Sequence, residues 1–76
     1  MRELQVALDI ILKVLELESS RAEIIQQIIT YNRLASYVGD YQSDLLRRKV
    51  TGLWRRQRDI DRRIYNHRKE LKECEF

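Results

Sequence analysis

Apolar residues return at alternating intervals of three and four along almost the whole chain, a rhythm that points to α-helix throughout. In the first half, Ala7, Ile10, Val14, Leu17, Ile24, Ile28, Tyr31, Ala35 and Val38 make such a stripe, with Arg21 as its one exception. In the second half, Leu46, Val50, Leu53, Gln57, Ile60, Ile64, His67, Leu71 and Cys74 keep the rhythm across four heptads, as in a coiled-coil seam. The polar Gln57 and His67 lower the stability of that seam and help to fix its register. The absence of Pro, the presence of only two Gly, and the 36% charged residues suit long helices better than sheets.

The strongest punctuation is the run Val38-Gly39-Asp40-Tyr41-Gln42-Ser43-Asp44. Gly39 suits the left-handed residue just past a helix end, and Asp40 or Ser43 can accept hydrogen bonds from the free amides of the next helix. The expected fold is therefore all-α, a long antiparallel hairpin within a single domain 1–76. Its helices cover about 2–37 and 42–74 around a turn at 38–43, each arm roughly 50 Å long. A competing break lies near Ser19 and Ser20, where Ser20-Arg21-Ala22-Glu23 fits a capping box and would give three helices. The polar stripe continues in phase through Ser20, Glu23 and Gln27, which favours one continuous helix.

With 76 residues the chain is too short for two domains or a generous core. A second apolar line on the first helix, Leu4, Leu8, Ile11 and Leu15, confines the polar residues there to Gln5, Asp9, Lys13 and Glu16. A helix with so narrow a polar stripe has to be covered on more than one side. A second copy is the expected cover, giving a homodimeric four-helix bundle. Its interface is expected at Leu4, Leu8, Ile11 and Leu15 together with Val50, Leu53, Ile60, Ile64 and Leu71.

Candidate chemistry is sparse. There is no Gly-rich phosphate loop, and one His with one Cys cannot supply a four-cysteine or two-Cys, two-His zinc site. His67, Glu70 and Cys74 share a helical face, but the Glu-x-x-His order of di-metal bundles is reversed here. No catalytic residue, metal or cofactor is expected, and the chain is read as no enzyme. A lone cysteine excludes an intrachain disulfide, so a reducing, cytoplasmic setting is expected. The stretch from Leu4 to Leu17 is broken by Asp9, Lys13 and Glu16, which argues against a membrane span.

Charge is unevenly shared. Residues 1–40 carry four Lys/Arg against six Asp/Glu, net −2, and residues 41–76 carry eleven against six, net +5. Arg48, Arg55, Arg62 and Lys69 recur every seven residues and, with Arg47 and Arg58, form a stripe opposite the second seam. Asp59 and Asp61 dilute it. Trp54 and Tyr65 stand on the border between stripe and seam, where aromatics beside Arg suit a protein interface. These eight residues, Arg47, Arg48, Trp54, Arg55, Arg58, Arg62, Tyr65 and Lys69, are the candidate partner-binding set. Tyr31, Tyr37 and Tyr41 are expected to cap the closed end of the hairpin, and Gly52 to permit a close crossing.

The functional expectation is a small regulator, inhibitor or adaptor that binds another protein, an acidic one, as a homodimer. Such builds are common among small proteins of bacteria and phages, a fold-level analogy. The alternatives are DNA or RNA binding through the basic stripe, without any groove-reading motif in the sequence, and a structural assembly factor.

Overall fold

A computed structural model describes residues 2–74; residue 1 and residues 75–76 of the expected 1–76 domain lie outside the described residues. Two α-helices, α1 (Arg2–Ala35) and α2 (Asp40–Glu73), fold back on each other as a hairpin, and the described residues contain no strand. The result is a rod of 58 × 14 × 11 Å, in keeping with 34-residue helices of about 51 Å each.

The two heptad stripes meet along the rod. Ile10, Val14, Ile24 and Ile28 of α1 cluster with Val50, Leu53, Ile60 and Ile64 of α2, and Leu17, Tyr31, Leu71 and Cys74 pack around them. The seam therefore forms as the spacing predicts, and it uses Val50, Leu53, Ile60 and Ile64 inside a single chain. Its polar member Gln57 is buried, with no hydrogen-bond partner for Oε1 among the described protein atoms, and the Nδ1 atom of the partly buried His67 likewise has none.

The proposed break near Ser19 and Ser20 does not occur, because α1 runs unbroken through it. Arg21, the exception in the first stripe, explains part of this. Its Nε donates to Asp61 Oδ1 at 2.6 Å, and Arg68 Nη2 donates to Glu18 Oε1 at 2.7 Å. The segment that could have kinked is thus tied to α2 on both sides of Ser19 and Ser20.

The turn differs in detail from the expectation. α1 stops at Ala35 rather than near residue 37, and α2 starts at Asp40 rather than near 42. Gly39 is not left-handed: it is the N-cap of α2 with φ −69° and ψ 168°, without a side-chain cap. The C-terminal carbonyls of α1 are satisfied another way. The Ser36 and Tyr37 amides donate to Arg33 and Leu34 carbonyls at 3.1 and 3.0 Å, Ser36 Oγ donates to the Arg33 carbonyl at 2.6 Å, and this tight closure leaves no role for a left-handed residue. Ser43 does not cap either. Its amide donates to the Gly39 carbonyl at 2.8 Å as the first bond of α2, and its side chain is buried at the head of the seam.

Two further expectations are corrected. Tyr37 and Tyr41 are 85% and 77% exposed and cap nothing; only Tyr31 packs on the core, with Lys49 Nζ 5.7 Å from its ring centre. Gly52 marks no close crossing, since a Cβ placed there would meet nothing within 4 Å.

Candidate interaction surfaces

The hairpin covers only one of the two apolar lines on α1. Leu4, Leu8, Ile11 and Leu15 remain 50%, 46%, 39% and 55% exposed, with Leu12 beside them at 58%. The line is longer than its first four members suggest. After Glu18 it continues through Ala22, Ile25 and Ile29 with the same alternation of fours and threes. Helical phase of about 100° per residue sets this strip roughly 100° around α1 from the seam. Its length from Leu4 to Ile29 is about 37 Å.

Glu18 is the strip's one charge, and it is not left alone: Arg68 reaches it from α2. Alongside lies an open groove of about 750 Å³, bordered by Glu18, Arg21, Ala22 and Ile25 of α1 and by Tyr65 and Arg68 of α2. Tyr65 and Trp54 are 68% and 52% exposed on that side of α2. The predicted interface set is thus divided. Leu4, Leu8, Ile11 and Leu15 lie on the free face, while Val50, Leu53, Ile60 and Ile64 are buried in the seam and Leu71 packs against it.

The basic stripe lies on the outer face of α2, about 150° from the seam by helical phase, and Arg47, Arg48, Arg55, Arg58, Arg62 and Lys69 are all exposed. None of the six takes part in an ion pair or side-chain hydrogen bond among the described residues. The acids that dilute the stripe in the sequence are engaged elsewhere. Asp61 holds Arg21, and Asp59 holds Arg63 at 3.2 Å. The outer face is consequently more cationic than the linear sequence suggests.

His67, Glu70 and Cys74 make local contacts. His67 Nδ1 lies 3.6 Å from Glu70 Oε1, and Cys74 Sγ lies 3.4 Å from the Glu70 carbonyl oxygen. Among the described residues no group of three His, Cys, Asp or Glu could hold a metal ion, and no helix is long and apolar enough to cross a membrane. Sequence reasoning missed the cross-helix pairs and the full extent of the strip. The second was visible as spacing, and the first required the register between the helices. Comparison with known proteins found no matching family model, no matching curated protein and no matching solved structure.

Proposed function

We propose that this chain is a small non-enzymatic regulator or adaptor that works by protein–protein binding as a dimer of hairpins. In this reading the free strip of α1 is covered by a second copy, and the basic outer face of α2 engages an acidic surface on a partner in the cytoplasm. The observation that carries it is the uncovered apolar line from Leu4 to Ile29. Burying a whole Leu or Ile contributes about 1.5–3 kcal/mol, so burying the exposed half of each would contribute about 1 kcal/mol per side chain. An uncovered run of such residues on a charged rod favours an interface.

A specific observation keeps nucleic acid as the second reading: six exposed cations without an ion-pair partner among the described residues follow one helix face, and each phosphate they neutralise would add salt-dependent affinity. Against it, a single rigid helix offers no stacking groove for bases. Affinity capture from the native host's lysate, with and without nuclease, separates the two. Recovery of the same protein partner after nuclease treatment supports the regulator reading. Recovery that disappears with nuclease supports the second and overturns the first.

A further inference from the structure

We propose that two copies of α1 pair antiparallel along the free strip, setting Leu4 against Ile29 of the second copy, Leu8 against Ile25, Ile11 against Ala22 and Leu15 against Glu18. The inference rests on the dimer reading above and assigns its geometry. The strip runs 4, 8, 11, 15, 18, 22, 25, 29, alternating steps of four and three. In heptad terms Leu8, Leu15, Ala22 and Ile29 are one class of seam position and Leu4, Ile11, Glu18 and Ile25 the other. An antiparallel pair must set one class against the other. The stated register does so in every layer and uses the strip from end to end, with its two-fold axis between residues 16 and 17.

Glu18 decides the orientation. A parallel pair would stack each residue on its own copy, placing two Glu18 carboxylates in one layer of an interface that strips them of water. The antiparallel register separates them into neighbouring layers, each facing Leu15 of the other copy. Each carboxylate also keeps its own Arg68 partner at 2.7 Å, so the one charge on the strip enters the interface already paired.

The border of the strip away from α2 agrees. Gln5, Leu12, Ser19 and Gln26 follow it, and this register brings Gln5 beside Gln26 and Leu12 beside Ser19, so no like charges meet along that border. The quarter-turn between strip and seam gives α1 two neighbours at roughly a right angle, the corner geometry of a four-helix bundle. Because Arg21 is level with Asp61 and Glu18 with Arg68, the axis falls between Tyr65 and Lys69. The exposed Tyr65 ring and the groove beside it would then lie between the two copies.

The test uses pulsed electron resonance on nitroxide-labelled Gln5→Cys and Ser19→Cys, each in a Cys74→Ala background and both at exposed positions. The antiparallel register predicts an intermolecular distance of about 35 Å for position 5, which lies far from the axis, and below about 20 Å for position 19. Short distances at both positions would mean a parallel pair and would overturn this inference while leaving the dimer. No intermolecular distance at either position would overturn both. A second measurement leaves Cys74 in place: Glu18→Leu together with Arg68→Met should tighten self-association about tenfold or more, because the two changes replace a desolvated ion pair by apolar side chains of similar size. Weaker self-association of that variant would count against the register.

Discussion

Gly52 sits inside α2 with open space where a Cβ would go, so replacing it by Ala removes a conformational cost and adds no clash. Gly52→Ala should raise stability by about 0.5–1 kcal/mol, read as a shift in the urea midpoint. Gly39 behaves differently because it occupies the N-cap of α2 in an extended conformation. Gly39→Ser supplies the side-chain acceptor that the cap lacks and should add a few tenths of a kcal/mol, whereas a left-handed Gly39 would make the same change destabilising. Gln57 is buried with an unpartnered carbonyl oxygen, and Gln57→Leu should stabilise the hairpin by about 1 kcal/mol or more. Thermal or chemical denaturation checks both the sign and the size. At this scale helical phase identified the seam residues correctly. It could not show that Arg21 meets Asp61 or that Glu18 meets Arg68, since phase within one helix says nothing of how far the other has slid along it. It also could not show that Ser36 would close the end of α1 in place of Gly39, because that choice lies in competing hydrogen bonds of similar strength.

At the scale of the elements, α1 and α2 differ in how many apolar faces they carry. α2 has one seam and a charged back; α1 has the seam and the free strip. The difference can be tested by comparing one truncation on each face. Ile24→Ala empties a position that is 4% exposed and should cost about 2–5 kcal/mol of folding stability, enough to unfold much of so small a chain. Leu8→Ala removes a side chain that is 46% exposed in the single hairpin. It should weaken self-association far more than it changes circular dichroism at concentrations where the chain is monomeric. The cross-helix ion pairs contribute less than either face. Arg21 and Asp61 are 40% and 47% exposed, a setting in which pairs are worth about 0.2–1 kcal/mol. They tie α1 to α2 at Arg21–Asp61 and Glu18–Arg68. The two-helix architecture was legible because both stripes hold one rhythm with one strong interruption. The extent of the strip past Leu15 was present in the spacing as well, but Glu18 looks like its end until Arg68 is seen to neutralise it.

Across the whole molecule, charge and apolar surface point in different directions: the strip faces sideways from α1 and the cations face outward from α2. Their roles are therefore separable. Replacing Arg48, Arg55 and Arg62 together by Gln should leave folding and self-association intact, because all three are exposed, off the seam and without an ion pair among the described residues. The same triple variant should slow association with an acidic protein partner through lost steering. If nucleic acid were the target, the triple change would instead flatten the slope of log affinity against log salt by about 2–3. The strip from Leu4 to Ile29 is proposed to be covered by a second copy in solution, and sedimentation equilibrium at micromolar concentration tests this most directly. The wild-type chain should sediment at twice its 9.3 kDa mass, and Ile11→Asp should shift it toward single chains or unfold it. A folded wild-type chain that remains at 9.3 kDa across the micromolar range would contradict the claim.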